Sequence, residues 1–153
     1  MHHGNTCTDY LSQERERGIT ICSSAVSLLW DEHKINILDT PGHIDFTMEV
    51  EQSLSAVDGS VIILDASAGV EAQTITVWNQ LEQYNLPKIV FANKMDRKDA
   101  DFDGCLVDLK SKFDSVFVPL QYSIKSDNNF NSKYVQVGKH KNDYLRTYFT
   151  FQA

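Results

Sequence analysis

Two short uninterrupted apolar runs, Val61-Ile62-Ile63-Leu64 and Ile89-Val90-Phe91-Ala92, constrain this chain most, because a stretch of helical period separates them. Four consecutive apolar residues leave no polar side for water, which is the pattern of a strand covered on both faces. Between the runs, Ile75, Trp78 and Leu81 recur at the spacing of one helix face. After the second run, Phe102, Leu106, Leu109 and Phe113 mark another helix, and Val116 to Gln121 reads as a further strand. An earlier helix is expected from Asp45, with Phe46, Val50, Leu54 and Val57 on its apolar side. Strands alternating with helices predict an α/β fold: a mostly parallel sheet flanked by helices, with right-handed crossovers. Ahead of this pattern, Ser24 to Trp30 and Lys34 to Leu38 are joined by Asp31-Glu32-His33 and read as an antiparallel hairpin at a sheet edge. Beyond Tyr122 the chain turns rich in asparagine, serine and lysine, and a loosely ordered tail is expected over residues 123–153.

The far ends of the hairpin and of the second apolar run carry chemistry. Asp39-Thr40-Pro41-Gly42-His43 follows the second hairpin strand, and Asn93-Lys94-Met95-Asp96 follows the second buried run. In an open α/β sheet, ligands sit at the carboxyl ends of strands, so both stretches stand where a ligand is expected. Asn93-Lys94-x-Asp96 suits guanine. The Asp96 carboxylate can accept from the N1–H and N2 amino edge, whereas adenine offers an acceptor at N1 and no N2 donor. A polar site of this kind rejects the wrong partner by a factor of about 10⁴–10⁵, since unmatched buried groups are left unpaired. Lys94 can lay its alkyl stem across the purine face, and Asn93 can tie the loop to its neighbours.

The other stretch suits phosphates. Asp39 can hold Mg²⁺ through a water, and Gly42 allows a backbone N–H to approach the γ-phosphate closely. His43 then stands beside the expected attacking water, and phosphoryl transfer asks mainly for positioning and charge stabilisation. Thr20, in Arg17-Gly18-Ile19-Thr20, offers a hydroxyl for Mg²⁺ and a backbone N–H for the γ-phosphate, in a loop that can order with GTP and release after hydrolysis. Singly, each signal has a plainer reading. Asn-Lys-x-Asp is a common turn composition, His43 a common helix-entry histidine, Thr20 an ordinary loop threonine, and Glu14-Arg15-Glu16-Arg17 a solvated charge run. Their order along the chain, each at a loop or strand end, favours a Mg²⁺-dependent switch that binds GTP and GDP.

Composition excludes several classes. Net charge is −7, and the acidity is concentrated: residues 125–153 hold five Lys/Arg against two Asp/Glu, leaving nine against nineteen in residues 1–124. Such a body is not expected to bind free nucleic acid, which needs clustered Lys/Arg. No apolar run approaches the length of about 20 residues needed to span a bilayer, so no membrane partner is expected. The opening residues carry no targeting pattern. Cys7, Cys22 and Cys105 lack metal-ligand spacing and read as ordinary thiols in a reducing compartment.

Glu14 to Ile21, Asp39 to Phe46, Gly69-Val70-Glu71-Ala72-Gln73-Thr74 and Asn93 to Asp96 together resemble the translational GTPases. His43-Ile44-Asp45-Phe46-Thr47-x-Glu49-Val50-Glu51, Val57-Asp58-Gly59 and Thr76-Val77-Trp78 resemble the elongation factor G family within them. The stretch from Asp96 to Tyr122 is similar to its mitochondrial ribosome-releasing branch. The resemblance covers roughly residues 4–122 and implies a P-loop-GTPase-like domain with Thr20 in the first switch and Gly42 and His43 in the second. It also implies GTP hydrolysis on the ribosome, with splitting of post-termination ribosomes together with the recycling factor, and a mitochondrial setting, cytoplasmic being the alternative. Against the family pattern, G-x-x-x-x-G-K-[ST] is not among the 153 residues. Residues 1–122 are therefore expected to form an incomplete GTPase domain with a hydrophobic slot in its sheet. The alternative to a GTPase is a truncated binding module that does not hydrolyse GTP.

Overall fold

The computed structural model describes residues 8–120 and 147–151, and the chain divides into two compact units, Met1–Val57 and Asp58–Ala153.

In the first unit, a short helix α1 (Ser12–Arg17) precedes strands β1 (Ser24–Trp30) and β2 (His33–Asp39), a 3₁₀ turn (Ile44–Phe46) and helix α2 (Thr47–Leu54). The strands pair antiparallel from Ser24↔Asp39 to Trp30↔His33, so the connection is the two residues Asp31 and Glu32. Both have positive φ, 46° and 64°. That backbone matches the twist of the flanking strands in a tight hairpin, although neither residue is one of the glycines or asparagines that adopt it most readily. On one hairpin face Val26 meets Ile37 and Leu28 meets Ile35. Of the four apolar positions expected of this helix, Val50 and Leu54 are buried in α2, whereas Phe46 and Val57 lie just outside it and are half-buried.

The charge run at Glu14 departs from its sequence reading as solvated. α1 forms there, Gly18 stops it in the left-handed region at φ 65°, and the Gly18 N–H donates to the Glu14 carbonyl at 2.7 Å. Arg15, Glu16 and Arg17 face water, but Glu14 is fully buried. Its carboxylate accepts from the backbone N–H of Ile21 at 2.9 Å, Cys22 at 3.1 Å and Leu11 at 2.9 Å. Those amide donors, Ile21 and Cys22 foremost, hold its carboxyl below the usual value. A buried charge is thus satisfied by backbone dipoles rather than by a cation.

The second unit is the parallel α/β body: β3 (Ser60–Asp65), α3 (Ala72–Gln83), β4 (Lys88–Asn93), α4 (Phe102–Lys112), β5 (Phe117–Pro119) and β6 (Thr147–Phe151). The sheet order is β3-β4-β6-β5, and every neighbouring pair is parallel. Register brings Asp65 opposite Asn93, so both strands end at one level. All four apolar positions expected of α4 and its end are buried, Phe102, Leu106, Leu109 and Phe113; in α3, Trp78 and Leu81 are buried while Ile75 stays at the surface. Trp78 stacks on Phe113 with centroids 4.1 Å apart and touches Phe117 at 5.6 Å. The Lys88 ammonium lies 5.2 Å from the Trp78 ring and pairs with Glu82 at 2.7 Å.

The strands of this unit also differ from the sequence reading. Ile62 and Leu64 are buried on β3, but Val61 and Ile63 are 61% and 66% exposed, so only one face of this strand is covered. Residues 147–151, within the stretch read as a loosely ordered tail, form β6 between β4 and β5; the rest of that stretch lies outside the described residues. Tyr148-Phe149-Thr150-Phe151 is aromatic and β-branched throughout, a composition that suits a pleated strand once neighbours on both sides supply hydrogen-bond partners.

Candidate functional site

The carboxyl ends of β3 and β4 carry a tightly connected cluster in the second unit. After β4, Asn93 folds its side chain back so that Oδ1 accepts the Lys94 N–H at 2.9 Å. Lys94 takes a left-handed conformation, φ 61°, a strained backbone for a lysine that this bond supports. Met95 is 1% exposed and anchors the loop in the core, which turns Lys94 and Asp96 outward on either side of it. The Arg97 N–H closes the turn on the Lys94 carbonyl at 3.1 Å, and the Ala66 N–H donates to the Asn93 carbonyl at 3.0 Å, linking the β4 loop to the one after β3. The three residues singled out here by sequence, Asn93, Lys94 and Asp96, therefore stand in one short loop at a strand end, with Asp96 exposed.

Sequence reading missed the residue at the centre of this cluster. Asp65, the last residue of β3, accepts the Ser67 N–H at 3.0 Å and the Ser67 hydroxyl at 2.6 Å through Oδ1. Its Oδ2 takes the Lys94 ammonium at 2.7 Å and the Arg97 guanidinium at 3.3 Å, and Arg97 also reaches Ser67 Oγ at 3.2 Å. Burial opposes charge on Asp65, but the bonds from Lys94 and Ser67 outweigh it and hold the carboxyl well below the usual carboxylate range. The only signal available beforehand was position, an acidic residue closing an apolar strand next to a second such strand. A second tie fixes the loop after β3: Asp108 of α4 accepts the Val70 N–H at 2.8 Å, while Lys112 donates to the Val70 carbonyl at 2.7 Å. Gly69 sits at φ 73°, where a Cβ would come within 3.1 Å of Asp108 Oδ2, so the tie needs glycine there.

The first unit carries the other sequence-selected residues. Asp39 closes β2, half-buried and in register with Ser24. Pro41 is buried, and Gly42 is exposed with open space where a Cβ would stand. His43 precedes the 3₁₀ turn with 53% of its side chain exposed and its ring 6.1 Å from that of Phe46. The Asp45 N–H lies 3.3 Å from His43 Nδ1, as does the Asp45 carboxylate. When Nδ1 accepts from that amide, the proton of the neutral ring is on Nε2, which is left to hold a further group. Thr20 donates its hydroxyl to Asp9 Oδ1 at 3.0 Å.

The donor chemistry fits Mg²⁺. Thr20 and Asp39 offer hard oxygens, and a threonine whose proton is given to Asp9 keeps its lone pairs for a cation. Among the described residues no three His, Cys, Asp or Glu side chains group as a complete metal site. Mg²⁺ does not require one, because it keeps waters and is commonly shared with nucleotide phosphates. Also among the described residues, no helix is long and apolar enough to cross a membrane, Cys105 is buried and Cys22 half-buried.

Loops after parallel strands, an Asn-Lys-x-Asp turn and a strand-ending aspartate together define a nucleotide-binding type of α/β protein. The chain belongs to the elongation factor Tu GTP binding domain family, whose profile matches residues 1–149, and so to a family of GTPases. Its relatives include mitochondrial ribosome-releasing factor 2 of Anopheles gambiae, 70% identical over 122 residues that cover 80% of this chain and 17% of that protein. The same factor of Drosophila yakuba is 66% identical over 127 residues, covering 83% of this chain and 18% of the relative. A crystal structure of a Thermus thermophilus protein superposes with a TM-score of 0.75 at 29% identity, over 83% of this chain and 19% of that one. The chain thus spans less than a fifth of the length of these relatives.

Proposed function

We propose that this chain is the guanine-nucleotide-binding part of a mitochondrial ribosome-acting GTPase of the ribosome-releasing type, with residues 1–122 the GTPase-domain portion. The observation that carries the reading is the Asn93–Asp96 loop: left-handed at Lys94, anchored by Met95 and capped by the Asn93 side chain. That geometry leaves Asp96 exposed at a strand end, where its carboxylate can accept both N–H groups of the guanine edge while the Lys94 stem underlies the ring. Thr20, Asp39 and Gly42 serve the phosphate end. Thr20 and, through a water, Asp39 would hold Mg²⁺, which when bound would neutralise charge on the phosphates. The Gly42 N–H faces no side-chain bulk of its own and can approach a phosphate oxygen. His43, with Nδ1 engaged by the Asp45 N–H, uses Nε2 to hold the attacking water in line. GTP hydrolysis would then switch a complex with the ribosome, as the names of the relatives suggest, and the recycling factor would be the accompanying protein.

The test is competitive displacement of a fluorescent GDP analogue by GDP, GTP, ADP and xanthosine diphosphate, on the parent protein and on Asp96→Asn. Losing the carboxylate removes two charge-assisted hydrogen bonds, so guanine affinity should fall at least about 100-fold. Xanthosine diphosphate, whose base has an oxygen where guanine has N2, should gain relative to GDP. An unchanged base preference would overturn the pocket assignment. Guanine binding without phosphate release, with or without ribosomes, would instead establish a non-hydrolysing binding module.

A further inference from the structure

Lys94 is held at both ends. Its backbone is fixed by the Asn93 cap, and its ammonium lies 2.7 Å from Asp65 Oδ2. Asp65 itself cannot swing away, because Ser67 holds its other oxygen through two hydrogen bonds and Arg97 bridges Oδ2 and Ser67 Oγ. Parallel register sets Asp65 opposite Asn93, so the anchor and the loop it serves end at the same level of the sheet. The lysine stem between these fixed points remains 46% exposed at the side-chain level.

We propose that Asp65 is a positioning residue for the base: by anchoring the Lys94 ammonium it lays the lysine stem out as a preformed platform for the purine face. This rests on the guanine reading given above. An untethered lysine samples many rotamers and must lose that freedom when a base stacks on it. A tethered one has already lost it, so the ligand meets a surface that needs no further ordering. Arg97 keeps the carboxylate in place whether or not Lys94 is present, which makes the coupling between Asp65 and Lys94 directional: removing the lysine does not free the aspartate. Because the platform touches only the base, Asp65 affects GDP and GTP alike and leaves the hydrolytic step alone.

A double-mutant cycle on the protein's full chain tests this, with Asp65→Asn, Lys94→Met and the pair, read by GDP and GTP affinity. Asp65→Asn is isosteric and keeps an oxygen for Ser67. It should weaken both nucleotides by the same factor, about tenfold, the size of one partly screened charge-assisted hydrogen bond. In the hydrolysis assay KM should rise with kcat unchanged. On the Lys94→Met background the same change should alter affinity less than about twofold, since the platform it serves is gone. Asp65→Glu, which keeps the charge with a longer reach, should show a smaller loss that Lys94→Met likewise abolishes, and it carries the test should Asp65→Asn not fold. A full tenfold loss persisting on the Lys94→Met background would make Asp65 a fold-supporting residue and overturn the proposal. A parent protein that binds guanine with no cost from Asp65→Asn would overturn it too. If the parent shows no base preference, it is the guanine reading that fails.

Discussion

Phe113→Leu should destabilise the second unit mainly through one aromatic stack. Phe113 is 7% exposed and lies nearly parallel to Trp78, with an interplanar angle of 16° and centroids 4.1 Å apart. Leucine keeps most of the apolar area, so the transfer contribution changes little and the volume change costs under about 1.5 kcal/mol. Loss of the ring-on-ring contact adds about 0.5–1.5 kcal/mol. The sum is about 0.5–3 kcal/mol, against a typical total stability of about 5–15 kcal/mol. With a urea m-value of about 2 kcal/mol/M, the midpoint should drop by roughly 0.25–1.5 M. Fluorescence reads this locally, because one of the two tryptophans, Trp30, is 73% exposed and the other, Trp78, only 3%. Trp30→Phe leaves Trp78 as the sole reporter, blue-shifted while its stack is intact. In the absence of a stack the cost must shrink, so Phe113→Leu on a Trp78→Leu background, where unfolding is followed by far-UV circular dichroism because the fluorescent reporter is gone, should be milder by about 0.5–1.5 kcal/mol. Equal costs on the two backgrounds would refute the stacking argument and leave area burial alone as the cause.

Stability should also have an acid limb set by Asp65 and Asp108. Burial works against charge on Asp65, yet its bonds to Lys94 and Ser67 depress its carboxyl, and the Val70 N–H does the same for Asp108. Depressed folded values mean that the unfolded chain binds protons first. The stabilisation is therefore complete above the ordinary carboxylate value near 4 and is lost as pH falls through the folded values. Melting temperature followed from pH 6 to pH 2 should show a plateau and then a fall, shallower in Asp108→Asn; a steeper fall in that variant would count against the assignment. Glu32→Gly should stabilise the hairpin by about 1 kcal/mol, since Glu32 holds φ 64° and glycine adopts it without strain. Slower amide exchange along β1 and β2 is the measurement, and faster exchange would contradict it.

Much of this protein can be read from local pattern. Strand–helix alternation, the hairpin and the apolar face of α4 follow from periods of 2 and 3.6, which are properties of neighbouring residues. The Asn93–Asp96 loop was likewise legible as a candidate, because both its residue types and its place after an apolar run are sequence facts. What escaped notice depends on partners far along the chain. Glu14 looks solvated beside Arg15 and Arg17, and only folding brings the Ile21 and Cys22 amides onto its carboxylate. Thr147–Phe151 has no helical or alternating period of its own, and becomes a strand where β4 and β5 offer hydrogen bonds on both sides. Val61 and Ile63 belong to an unbroken apolar run, yet which face of β3 is covered is decided by what packs on it. Asp65 is one acidic residue among many until parallel register sets it against Asn93 and within reach of Lys94. Sequence by itself determined the elements and the residue types available for chemistry, because period and composition are local. Tertiary structure alone decided which charges are buried, which are paired and which lysine is held, because those energies depend on distances that only the folded chain defines.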